Sequence, residues 1–130
     1  MLAVPNEDAL ELAAMRLGEL LRRHDWRLAT AESSTGGLIG HAITMVPGAS
    51  AYYVGGAISY TNRAKEVELH VPGQVIHEYG AVSEEVARAM ADGARQRFGV
   101  ELALAVTGIA CRPRRRSASS SATRRLCTSS

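Results

Sequence analysis

The chain has 130 residues, near the usual size of one domain, which leaves no room for two independent cores. Its 46% hydrophobic, 22% charged and 5% aromatic residues exclude wholesale disorder and leave the core to Ala, Val, Leu and Ile. The net charge of +2 hides an asymmetry: residues 111–130 hold six Arg and no acid, so nine bases face 13 acids in residues 1–110, a net charge of −4 there.

Residues 6–23 read as a helix, with Asn6 as N-cap, Glu7 and Asp8 in the first turn, and Leu10, Ala13, Ala14, Leu17, Leu20 and Leu21 on one stripe. That stripe should pack on a sheet. Arg27–Ala31 predicts a short strand, followed by the turn Glu32-Ser33-Ser34-Thr35-Gly36-Gly37 and an apolar helical run from Leu38 to about Met45. Pro47-Gly48 stops that helix, and Gly55–Thr61 predicts a second strand opened by glycines. Asn62 is placed to cap a short helix from Arg63 to about His70, with Ala64, Val67 and Val71 on its apolar side and Pro72-Gly73 as its end. After Gly80 the pattern sharpens, with Ser83 as N-cap, Glu84 and Glu85 near the positive helix end, and Val86, Ala87, Met90, Ala91, Ala94 and Phe98 at helical spacing. Gly99 closes this helix, and Leu102–Val106 follows as an apolar strand that turns into the loop Thr107-Gly108-Ile109-Ala110. Strands alternating with helices predict an α/β domain.

Both cysteines, Cys111 and Cys127, lie beyond this body, so neither a disulfide scaffold nor a Cys-based metal site is expected in it. His24, His41, His70 and His77 never stand at a spacing that sets two ligands on one helical face, and they read as surface or cap residues. No metal and no cofactor is expected. No apolar run reaches the ~20 residues that span a bilayer, and the acidic N-terminus lacks the pattern of a secretory signal, so the expectation is a cytoplasmic protein with no membrane association.

Three places can carry chemistry. The turn from Glu32 to Gly37 sets hydroxyls at a strand end, with glycines that allow close backbone approach and a helix N-terminus that offers N–H groups to an anion. It suits a nucleophile or a phosphate, while the plainer alternative is that Ser34 or Thr35 caps the helix. Lys65 is the chain's single lysine; buried, it can serve as a general base, and Tyr60, five residues earlier, can bridge its amine to a serine hydroxyl. Its alternative is a solvated helix residue in an Arg-rich composition. Glu32 should point opposite Ser33, either as a surface or ion-paired carboxylate or as a group that positions a ligand.

The runs Thr30-Ala31-Glu32-Ser33-Ser34-Thr35-Gly36-Gly37, Gly55-Gly56-Ala57-Ile58-Ser59-Tyr60-Thr61-Asn62-Arg63-Ala64-Lys65, Gly80-Ala81-Val82-Ser83-Glu84 and Val106-Thr107-Gly108-Ile109-Ala110 together resemble the CinA C-terminal domain family. The family includes stand-alone nicotinamide-nucleotide amidohydrolases, and the resemblance covers about residues 8–110. It implies a three-layer α/β/α domain that hydrolyses the carboxamide of nicotinamide mononucleotide to the nicotinate form and ammonia, in pyridine-nucleotide salvage and without a metal. By motif, Ser33 would be the nucleophile, Lys65 its base and Tyr60 the residue that relays or orients the proton. Ser34 stands where the family commonly has Cys. Glu32, Ser34, Thr35, Gly36 and Gly37 would bind substrate, the last three through backbone N–H groups to an oxyanion or phosphate, and Thr107 and Gly108 would line the opposite side of the pocket. The partner so implied is a small nucleotide. A reading from a different class is a non-catalytic nucleotide-binding or competence/damage-associated accessory protein.

In the family, the T-G-I-A run continues into a G-P-G-G loop, a K-P-V-G strand and a closing helix, whereas Cys111-Arg112-Pro113-Arg114-Arg115-Arg116 follows here. In GC-rich codons that run, read one base later, spells A-G-P-G-G, so residues 111–130 are expected to be a frameshifted, Arg/Ser-rich tail without a core, and the domain 1–110 to be incomplete at its C-terminus. An Arg-rich arm for nucleic acid is the disfavoured alternative, because the tail has no aromatic residue to stack on bases. A sheet so shortened would show Leu102–Val106 to water as an apolar edge, with aggregation or pairing to a second copy as the result, and with doubtful activity.

Overall fold

A computed structural model describes residues 7–108. The elements run α1 (Glu7–His24), β1 (Leu28–Glu32), α2 (Leu38–Thr44), a 3-10 turn at Ala49–Ala51, β2 (Tyr53–Ile58), α3 (Asn62–Leu69), α4 (Gly73–Tyr79), α5 (Glu84–Phe98) and β3 (Leu102–Val106). The expected cap at Asn6 and everything expected of Ile109 to Ser130 lie outside the described residues. The three strands form one parallel sheet in the order β2-β1-β3, so the most buried strand is the one that ends in Glu32-Ser33.

Alternation along β1 sorts the interior into two layers. Ala29 and Ala31 face α5, whose Val86, Met90 and Ala94 recur every four residues and are fully buried against them together with Leu69 and Val71. Two alanines on the central strand let the helix lie close, and burying side chains of the size of Val86 or Met90 contributes roughly 1.5–3 kcal/mol each. Leu28 faces the other way and joins Leu21, Ile43, Ala49 and Tyr52 in a second cluster beneath α1 and α2. The result is the expected α/β/α layering. Among the described residues β3 is an edge strand, and Leu102 and Leu104 are 36% and 40% exposed on it. Among the described residues no helix is long and apolar enough to cross a membrane.

Four local expectations change. The stripe of α1 packs mainly on α2 and on Tyr52 instead of lying across the sheet, which leaves Leu20 exposed. The second strand starts two residues earlier than its glycines suggest, at Tyr53, because a register irregularity between Leu28 and Ala29 admits one extra residue opposite them. Thr61, not Asn62, caps α3: its hydroxyl oxygen accepts from Ala64 N at 3.1 Å, and Asn62 is already helical. Pro72-Gly73 does not merely end a helix but opens α4, with Pro72 O accepting from the N–H groups of Val75 and Ile76. Ser83 and Gly99 cap α5 as expected, with Val86 N donating to Ser83 Oγ at 3.2 Å and Gly99 in the left-handed region at φ 62°.

Gly93 sets how closely α5 meets α3. A Cβ there would run into the main-chain carbonyl oxygen of Leu69 and come within 2.8 Å of its carbon. Backbone cannot swing aside as a side chain can. Gly93→Ala is therefore expected to lower stability by about 1–3 kcal/mol, read as a lower urea midpoint with an unchanged slope. A neutral or stabilising change, as helix propensity alone predicts, would contradict the close approach.

Candidate active site

The site forms where β1 and β2 end on the α5 side of the sheet. Ile58 pairs with Glu32, and Ser59 N continues the ladder by donating to Glu32 O at 2.8 Å. Ser33 is held from the other side, its N–H donating to Val106 O at 3.0 Å. Its side chain follows Ala29 and Ala31 onto the α5 face and is 3% exposed.

Above it lies Lys65, on the first turn of α3 and 2% exposed. Lys65 Nζ donates to Ser33 Oγ, Ser59 O and Tyr60 O, each at 3.1 Å. The short connection from β2 to α3 makes this possible: the carbonyls that leave the strand turn toward the helix that starts at once after them. Three acceptors suit the three N–H groups of an ammonium. No ion pair reaches Lys65 among the described residues, and burial pushes its pKa below the ordinary lysine value of 10.5. Serine and lysine thus meet directly. The expectation that Tyr60 bridges them is corrected: Tyr60 contributes its main-chain oxygen, which also lies 3.5 Å from Ser33 Oγ, while the residue is 65% exposed and its phenol bonds to neither.

Glu32 points opposite Ser33, as expected, but not to solvent. It is buried on the α2 side, where Oε1 accepts from Thr35 Oγ1 and Ile39 N at 2.8 Å each and Oε2 accepts from Gly40 N at 3.0 Å. The carboxylate occupies the positive start of α2. The Glu32 carboxylate and the start of α2 thus satisfy each other, which corrects the expectation of a surface or ion-paired carboxylate. It also replaces the alternative in which Ser34 or Thr35 caps the helix. Gly37, at φ 109°, gives the turn a backbone shape that side chains resist and lets α2 fold back over Glu32.

Of the remaining turn residues, Gly36 N–H donates back to Ser33 O at 3.1 Å, whereas the main-chain N–H groups of Ser34 and Thr35 make no hydrogen bond among the described residues. Thr107 is buried at the end of β3, and its hydroxyl donates to Ala81 O at 2.7 Å. That contact ties β3 to the segment before α5, so the Thr107 hydroxyl is not turned to a pocket; Gly108 follows it, half-buried. A cavity of about 420 Å³ opens between α3 and α4, lined by Asn62, Glu66, His77 and Ala81 among others. Among the described residues no group of His, Cys, Asp or Glu could hold a metal ion. Sequence reasoning missed the Ser59 carbonyl. The alternation of β2 carried the signal, because it sets Ser59 beside Ser33 at the strand ends.

The sequence profile of the CinA C-terminal domain matches residues 10–122. A CinA-like protein of Gemmatimonas aurantiaca is 52% identical over 100 residues, which is 77% of this chain and 23% of that protein. A CinA-like protein of Citrifermentans bemidjiense is 57% identical over 95 residues, 73% of this chain and again 23% of that protein. The chain therefore spans about a quarter of the length of these curated relatives. Among solved structures, a CinA superfamily protein from Escherichia coli superposes with a TM-score of 0.76 at 34% identity, over 82% of this chain and 62% of that one. A competence/damage inducible protein from Agrobacterium tumefaciens gives 0.74 at 37% identity, over 90% and 70%.

The role found for Glu32 has a direct check. Glu32→Ala strands the half-buried N–H groups of Ile39 and Gly40 and the Thr35 hydroxyl, and is expected to lower stability by about 1–3 kcal/mol in urea unfolding. Unchanged stability together with weakened ligand binding would instead return Glu32 to a substrate role.

Proposed function

The chain belongs to the CinA C-terminal domain family, and from that premise we propose that it hydrolyses a carboxamide through a serine–lysine pair, with nicotinamide mononucleotide as the substrate. The products are nicotinate mononucleotide and ammonia, which places the reaction in pyridine-nucleotide salvage. The family resemblance supports the substrate, and the coordination of Lys65 supports the chemistry.

The observation that carries the reading is the mixture of partners around Nζ. A neutral amine has two N–H groups and one lone pair. Ser59 O and Tyr60 O are carbonyls and can only accept, so they take the two N–H groups. The lone pair is then left for the third direction, where Ser33 Oγ stands at 3.1 Å. Burial favours that neutral form. The base is aimed before substrate arrives.

Four transfers follow. Ser33 Oγ bonds to the carboxamide carbon as its proton passes to Nζ. The resulting ammonium gives that proton to the amide nitrogen, the C–N bond breaks and ammonia leaves. A water attacks the ester carbon while Nζ takes its proton, and the proton returns to Ser33 Oγ as the ester bond breaks. The N–H groups of Ser34 and Thr35, free of other bonds among the described residues, are the donors nearest in sequence to the nucleophile for the developing oxyanion. Gly36 and Gly37 shape the turn that presents them. Tyr60 orients the lysine through its carbonyl, and its exposed ring is open to the substrate.

Ammonia release from nicotinamide mononucleotide by the 130-residue chain tests this reading. Ser33→Ala and Lys65→Ala should each lower kcat on the order of 10³-fold. The rate should rise with pH through a midpoint below 10.5, because the deprotonated amine is the active form and burial lowers its pKa. Tyr60→Phe keeps the carbonyl and should cost less than about tenfold, since no proton passes through the phenol. Release that survives Ser33→Ala would overturn the mechanism. Nucleotide binding without release, unchanged by either alanine, would favour the non-catalytic reading.

A further inference from the structure

Ser59 has a hydroxyl that nothing uses. The residue is 0% exposed, and its Oγ has no hydrogen-bond partner among the described residues. Leaving a buried hydroxyl unpaired costs about 1–3 kcal/mol, which an alanine at the same place would avoid. Its surroundings are those of the catalytic pair. Ser59 continues β2 one residue past the Ile58–Glu32 pairing, so alternation puts its side chain with Ala57 on the face that carries Ala31 and Ser33. Its own carbonyl already accepts from Lys65 Nζ at 3.1 Å.

We propose that the Ser59 hydroxyl is a positioning group for Lys65, an alternate acceptor that takes an N–H of the ammonium when Ser33 Oγ can no longer do so. The proposal rests on the serine–lysine reading above. When Lys65 is protonated in the free enzyme its ammonium has three acceptors, one of them Ser33 Oγ, whereas the neutral amine that starts the reaction gives its two N–H groups to the carbonyls. Once Oγ bonds to the carboxamide carbon and its proton has passed to Nζ, that oxygen becomes an ether-like, poor acceptor. The ammonium must then turn its new proton toward the departing nitrogen, and the turn loosens one of its remaining N–H bonds. Ser59 Oγ accepts that N–H, the C–N bond breaks, and Lys65 returns to the neutral amine held by two carbonyls. In the unreacted enzyme the hydroxyl is idle, which is the state observed.

Lys65 is the single lysine of the chain, so lysine labelled with carbon-13 and nitrogen-15 gives one side-chain signal that reports its ionisation. Titrating the folded full-length wild type, Ser33→Ala, Ser59→Ala and the double variant closes a cycle that needs no turnover. The expected result is non-additive. Losing the Ser59 hydroxyl should weaken proton binding by Lys65 on the order of tenfold when Ser33 Oγ is absent, and by much less when it is present. Additive effects, or none, would overturn the proposal. Kinetics provide the second arm: Ser59→Ala should lower kcat with KM unchanged and without lowering the thermal midpoint, and Ser59→Thr should restore kcat. A lowered midpoint that Ser59→Thr does not repair would make the residue structural and overturn the proposal. If the wild type releases no ammonia, the amidohydrolase reading falls, while the titration cycle still decides whether Ser59 serves Lys65.

Discussion

A lysine amine taken out of water loses its hydrogen bonds unless the protein replaces them, and in this domain the sheet ends replace them for Lys65. Its three partners come from two strands and the loop that leaves one of them: Ser33 after β1, and the carbonyls of Ser59 and Tyr60 after β2. Each partner depends on something further away. The carbonyls depend on the β1–β2 register, Ser33 on its bond to Val106, and the amine on α3 being capped by Thr61 and resting against Gly93 of α5. A shift of one residue in β2 would turn both carbonyls away and leave the amine buried without acceptors. The architecture around the lysine is thus a condition of its burial.

Neighbouring residues on the central strand serve opposite sides of the sheet. Ser33 looks toward α3 and α5, while Glu32 looks toward α2 and holds that helix by its first N–H groups. The carboxylate fixes the turn 33–37 from behind, and the Ser33 side chain sits on the other side of the same turn. Loss of Glu32 would therefore disturb the site without any contact between its side chain and a substrate. The same logic covers Thr107, whose hydroxyl secures the end of β3 to Ala81. Glu32 and Thr107, which the motifs mark as binding residues, both hold parts of the frame together in this structure.

Much of the fold was legible, because its signals are local. Ser83 and Gly99 bracket α5, and the run Leu102–Val106 is the strand it suggests. The misreadings have physical causes. Pro72-Gly73 is as good an opening for a helix as an ending, since proline lacks the N–H that a first turn leaves unused. Tyr53 looks like loop because the glycines after it dominate the local pattern. At the site, the type and spacing of Ser33 and Lys65 suggested a pair, but the direction of a side chain and the role of main-chain carbonyls are set by register. That is why Tyr60 enters through its backbone and not its ring, why residue type alone leaves Glu32 between a ligand and the surface, and why the Ser59 carbonyl is not read from residue types.

In the proposed mechanism Lys65 is a base of lowered pKa, aimed at Ser33 by two carbonyls. The most direct measurement is the ionisation midpoint of the single lysine in the folded wild-type chain, read from its labelled side-chain signal. The account predicts a midpoint below the ordinary 10.5, returning to that value when the chain is unfolded in urea. A midpoint at or above the ordinary value in the folded chain would contradict it, because the amine would then be an ammonium held by its acceptors and not a base.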